Sequence, residues 1–197
     1  MNRKKYLGDI IGGSLMARES QLIAQLLIQS PSSNDWHQAI IEENLLQKPS
    51  QASSKRNAAT IRKRIASLGT DFLSTLEKSN NNDAKQLMLV ATLIDSPILI
   101  DFIKHVLLEA RRLYRTSLNQ DDWLHFWEDR TRVIPELSEL SQSSVYKIGQ
   151  VVFKILFDAG YIDSTKDKNI QNVYLSSELR TILINMNRED ILRVMEP

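Results

Sequence analysis

Apolar side chains recur every three or four positions through most of this chain, and only six glycines and five prolines interrupt them. That period is the mark of helices that bury one face. Leu15, Leu22, Ile23, Leu26 and Leu27 fall on one side of a first helix predicted over 14–29, which Pro31 ends. Asn34 or Asp35 starts a second helix carrying Trp36, Ala39, Ile40, Leu45 and Leu46, which stops at Lys48-Pro49. A serine-rich linker over 49–54 leads into a third helix, with Ser53 as its expected N-cap. Ala58, Ile61, Ile65 and Leu68 form the apolar stripe of that third helix. Gly69-Thr70 separates it from a short helix over 71–78. The polar run Ser79-Asn80-Asn81-Asn82-Asp83 reads as a domain boundary, giving an N-terminal helical domain over 1–80 and a C-terminal domain over 81–197.

Beyond the boundary the pattern predicts a helix over 84–94, a break at Ser96-Pro97 and a longer helix to about Arg115. Asn119, with Asp122 three residues on, is placed to cap a helix bearing Trp123, Phe126 and Trp127. Trp36, Trp123 and Trp127 all sit beside apolar neighbours at helical spacing and are expected in the core. Pro135 and the serines at 138, 141, 143 and 144 mark the next connection. A helix over 143–159 then aligns Val145, Ile148, Val152, Ile155, Leu156 and Ala159, and Gly160 stops it. Strands are expected at 161–163 and 172–175 around a polar turn over 164–169, followed by a helix over 178–184. Helix, glycine, strand, turn, strand, helix is the order of a winged helix, and Leu156-Phe157-Asp158-Ala159-Gly160-Tyr161-Ile162 resembles the helix-to-wing junction of such domains. The predicted class is therefore mainly α: a multi-helical N-terminal unit with a helix-turn-helix-like region, and a C-terminal unit ending in a winged-helix-like segment at about 141–197 with one small β-hairpin.

Charge singles out the third helix. Lys+Arg and Asp+Glu total 25 and 24, yet 53–68 holds five basic residues and no acidic one. On a helical wheel Lys55, Arg56, Arg62 and Lys63 gather opposite the apolar stripe, with Arg64 between. With a net charge of only +1, a polyanion contact has to be local, and this helix, set after a helix and a turn, is the first candidate. The second is the polar side of the 143–159 helix. Ser143, Tyr146, Lys147, Gln150 and Lys154 share about one quadrant there, and Lys166 and Lys168 stand at the expected wing tip beside Asp163 and Asp167. Arg111, Arg112 and Arg115 form a further basic cluster, which Glu109 and the end of a helix explain equally well.

Catalytic chemistry finds little support. The chain has no cysteine, which removes thiolate metal sites and cysteine nucleophiles and suits a reducing compartment. His37, His105 and His125 lack ligand spacing, and the adjacent Asp121 and Asp122 read as helix-dipole partners. Gly8, Gly12 and Gly13 are not followed by the Lys-Ser/Thr of a phosphate loop. No catalytic, cofactor or metal residue is expected, nor a small-molecule substrate. Asp9, Arg18 and Glu19 interrupt any leader-like segment, and the most apolar stretch, 87–108, is broken by Asp95, Ser96, Pro97, Asp101 and Lys104. A cytoplasmic protein with no membrane contact is expected.

A spaced pattern runs through the N-terminal half: Tyr6, Ile10, Gly13-x-Leu15, Glu19-Ser20, Ile23-Ala24-x-Leu26-Leu27, Asp35-Trp36 and Glu43-Asn44-Leu45-Leu46-Gln47. It continues with Ser50, Ser53, Arg56 and Ile61-Arg62-x-Arg64-Ile65. It resembles the BrxA family of bacterial BREX phage-defence systems. The resemblance implies a small non-enzymatic BREX component, a fold partly like the RNA-binding antitermination protein NusB, and an association with DNA. It supplies no catalytic residue, and a family label of inner-membrane protein runs against the broken apolar stretch above. The expected function is a DNA-binding accessory subunit whose partners are double-stranded DNA and other BREX proteins. The alternatives are a protein–protein adaptor of the BREX complex, or NusB-like RNA binding.

Overall fold

A computed structural model describes residues 2–196. The chain is mainly helical and divides into two compact units. The larger comprises Met1–Ser14 and Thr92–Pro197, and the smaller Leu15–Ala91. This division falls at 14/15 and 91/92 rather than at the polar run 79–83. That run starts a helix instead: Asn80 Oδ1 accepts from the backbone N–H groups of Asn82 and Asp83, at 2.9 and 3.0 Å.

In the smaller unit, α2 (Ala17–Ile28) packs against α4 (Gln51–Ile65) and α5 (Thr70–Lys78). Between them in sequence, α3 (Ser33–His37) is opened by a Ser32–Asp35 capping box and continues as a π-helical turn over Gln38–Glu42. That turn buries Ile40 and packs on α4, whose Ser54 hydroxyl donates to the Ile40 carbonyl at 2.8 Å. The N-cap of α4 is Ser50, not Ser53: the Ser50 hydroxyl accepts from the Ser53 N–H. The linker holds several serines able to cap, and starting at Ser50 is what turns Ser54 inward to its buried partner. A last helix, α6 (Asn81–Asp95), runs from this unit into the larger one.

The larger unit is built on aromatic packing. Phe102 closes α7 (Pro97–Phe102), which continues through a π-helical turn over Ile103–Leu107 into α8 (Leu108–Arg112). Its ring meets Trp123 and Phe126 of α9 (Gln120–Val133) at 5.6 and 5.2 Å, and Phe153 of α10 (Gln142–Asp158) at 5.8 Å. The predicted Asn119–Asp122 capping box starts α9, and Trp123 donates its indole N–H to the Val145 carbonyl at 3.0 Å. The N-terminal helix α1 (Arg3–Leu7) lies on α7, with the Tyr6 hydroxyl 2.9 Å from Asp101. Gly8, at φ 56°, ends α1 against the Asp95 carbonyl, where a Cβ has no room. The chain finishes with α11 (Ser177–Asn185), capped by Ser176, and α12 (Glu189–Met195), which packs on α11 and which no sequence pattern announced.

The expected β-hairpin is not formed. Among the described residues the only β pairing consists of two isolated bridges, Ile162 with Ile170 and Ser117 with Asn169. The loop after Gly160 does fold back, but Ile170 N–H donates to the Thr116 carbonyl and Leu118 N–H to the Lys168 carbonyl. The outer edge of the loop is thus bonded to 116–118, and the expected second strand at 172–175 has no regular structure. No single helix among the described residues is long and apolar enough to cross a membrane.

Candidate nucleic-acid interface

Helix α4 presents the basic surface. Its buried stripe of Ser54, Ala58, Ile61 and Ile65 fixes the rotation of the helix and leaves Lys55, Arg56, Arg62 and Lys63 exposed. Lys55, Arg56 and Arg62 make no ion pair among the described residues, and the helix contains no acid to neutralise them. Arg64 is different. It is 1% exposed and belongs to the core of the smaller unit, so it leaves the candidate surface. The wheel had set it between the two faces, and close packing decided for the inside.

Trp36 also departs from expectation. It is half-buried rather than in the core, and the Arg62 guanidinium lies 4.6 Å above its ring. The indole face holds Arg62 in one place without neutralising its charge. The sequence pattern assigns Trp36 to the apolar side of a helix and gives no sign of this pairing.

On α10, Ser143, Tyr146, Lys147, Gln150 and Lys154 are all exposed, opposite a stripe that includes Val145, Ile148, Val152 and Ile155. This surface is less basic than α4. Lys154 is 2.8 Å from Asp158 and reaches over the Phe157 ring. Tyr146, Lys147 and Gln150 border a groove of about 920 Å³ whose walls include Leu124, Trp127, Leu137 and Leu140. Lys166 is exposed, whereas Lys168 is half-buried with its ammonium 5.1 Å from the Phe153 ring. Beside them, Asn169 holds the Asp163 carboxylate below the usual range, by its amide and its backbone N–H, so that negative charge persists at the loop tip.

Among the described residues no three His, Asp or Glu side chains gather as a metal site. His125 and Asp122 line one shallow cleft with Asp129 and His105, but Asp122 is engaged by Arg115 at 2.7 Å. Burial alone would raise the Asp122 pKa; the Arg115 guanidinium and the Asn119 N–H overcome it and hold the carboxyl low. It is a structural anion.

The BrxA family model matches residues 4–187. A BREX protein BrxA from Escherichia coli O9:H4 (strain HS) is 35% identical over 99% of this chain and 92% of its own length. A BREX protein BrxA from Paramagnetospirillum magneticum is 29% identical, covering 100% of this chain and 98% of its own. A crystal structure of an uncharacterized protein from Magnetospirillum magneticum superimposes with a TM-score of 0.87 at 28% identity, over 98% of both chains.

Proposed function

The chain belongs to the BrxA family of BREX phage-defence proteins, and from that premise we propose that it is a DNA-binding accessory component of a BREX system. The observation that carries this reading is the α4 face. Lys55, Arg56, Arg62 and Lys63 project from one exposed side of a helix that contains no acidic residue. Duplex DNA carries one negative charge about every 1.7 Å of axis, and a row of cations on a rigid helix releases its condensed counterions. The α3–α4 region acts in this reading as a helix-turn-helix. Ser143, Tyr146, Lys147, Gln150 and Lys154 of α10, with Lys166 and Lys168 of the following loop, supply a second contact.

Duplex titrations at two salt concentrations test this. Replacing Lys55, Arg56, Arg62 and Lys63 with alanine should weaken binding alike for unrelated sequences, because phosphate contacts carry no base information. A folded variant that binds with unchanged affinity removes α4 from the interface. The apolar groove under Tyr146 favours a second reading for α10, a docking surface for another BREX protein. In that case Lys147→Ala and Gln150→Ala leave duplex affinity as it is.

A further inference from the structure

A separate cleft of about 940 Å³ opens in the larger unit, where the end of α8, the loop at 169–172 and α12 meet. Its lining gathers four arginines: Arg111 and Arg112 from α8, Arg115 just after it, and Arg193 from α12. The one acid among the lining residues, Glu196, lies 2.6 Å from Arg180. Arg112, Arg115 and Arg193 are opposed by Glu109, Asp122 and Glu189, at 2.8, 2.7 and 3.7 Å. Arg111 is not. It is half-buried and makes no ion pair among the described residues; its guanidinium donates to the Gln171 carbonyl and lies 5.9 Å from the Tyr161 ring, while its Nε has no partner. Burial pushes its pKa below the ordinary arginine value. A cation removed from water without an anion is unfavourable, and the lining therefore suits one brought by a ligand.

Tyr114 supplies a second, independent observation. Helix α8 ends in a Schellman motif: Arg115 N–H donates to the Ala110 carbonyl and Tyr114 N–H to the Arg111 carbonyl. The left-handed position of that motif, φ 55°, is one that glycine fills most readily, yet here it holds a tyrosine that is 93% exposed. Nothing in the packing requires a large ring there. It stands at the lining of an arginine cleft that Asn169 and Asn172 also line.

We propose that this cleft binds a nucleoside phosphate, with the phosphate on Arg111, Arg112 and Arg193 and the base stacked on Tyr114. Arginine forks match phosphate oxygens, aromatic faces accept any base, and the volume suits a ligand of one or two nucleotides. The site does not rest on duplex binding by α4. Its ligand is either a free nucleotide or a nucleotide of a single strand.

The test uses the full chain with two probes, fluorescein-labelled oligothymidylate of eight residues and ATP, in anisotropy and calorimetric titrations. At least one probe should bind saturably. Tyr114→Gly should weaken that binding about tenfold while leaving the thermal midpoint equal or higher, because glycine adopts the left-handed backbone freely. Arg193→Glu, at an exposed position, should weaken it at least tenfold, and Arg111→Gln should do the same where it folds. Saturation by ATP identifies a free nucleotide; saturation by the oligomer alone identifies a strand. The Lys55/Arg56/Arg62/Lys63 alanine variant should lose duplex binding and keep this one, which separates failure of either proposal from failure of the other. No saturable binding of either probe, or binding that survives both Tyr114→Gly and Arg193→Glu, overturns the assignment.

Discussion

Gly149 stands in the middle of α10 with the Trp123 indole pressed on it. A Cβ built there lies 2.6 Å from both Cδ1 and Nε1 of that ring. Trp123 has no exposed surface, donates to Val145 and touches Phe102, Phe126 and Trp127, so it has nowhere to retreat. Gly149→Ala should therefore destabilise the protein by about 1–3 kcal/mol despite alanine's better helix propensity. A lower urea midpoint checks it; an unchanged or raised midpoint refutes the packing. From the sequence, Gly149 is only a weak spot in a helix, because a wheel shows direction and not distance. Arg62 and Arg64 carry the same lesson. They differ by two positions in one basic run, yet one lies over the Trp36 ring on the surface and the other is in the core. Local chemistry assigns both to the solvent, and only the packing of the smaller unit separates them.

At the level of elements, what was legible is what short-range hydrogen bonding decides. Asn119 and Asp122 form the capping box their spacing announces, and Gly160 takes φ 83° after α10. The hairpin was not legible, because its fate lay with Thr116 and Leu118, some fifty residues away from the strand at 172–175. Those residues bond the far edge of 168–170, whose near edge pairs with Tyr161 and Asp163, and no local propensity reveals them. The α9 cap also makes a pH prediction. The Asp122 carboxyl is held below its ordinary value in the folded state, so the unfolded chain takes up its proton first as pH falls. The stability it contributes is complete above the unfolded carboxylate pKa of about 3.9 and is lost as pH drops through the lower folded value. Asp122→Asn should consequently lower the urea midpoint at pH 7, and the gap from the parent protein should shrink towards pH 3. A gap independent of pH would mean that the charge of Asp122 is not what matters.

Over the whole molecule, the net charge of +1 conceals an uneven distribution. The Leu15–Ala91 unit holds nine Lys and Arg against seven Asp and Glu, a net of +2, and the remainder holds sixteen against seventeen, a net of −1. Four of the nine cations of the smaller unit are the exposed face of α4, so removing them takes that unit from +2 to −2. A protein of this kind has no general attraction for polyanions, and its salt dependence should report the α4 face almost alone. Each neutralised phosphate contributes about −0.9 to the slope of log K against log salt, so four contacts predict a slope near −3.6. The α4 alanine variant should flatten the slope by about that amount, leaving only what α10 contributes. Lys147→Ala should remove about one unit at most. Lys154→Ala should remove less, because its ammonium already faces Asp158 at 2.8 Å and exchanges one anion for another on binding. Anisotropy titrations between 50 and 200 mM salt measure all three slopes. If the lysines of α10 carry the larger share, the basic face of α4 is a solvated helix surface and the principal contact lies in the other unit.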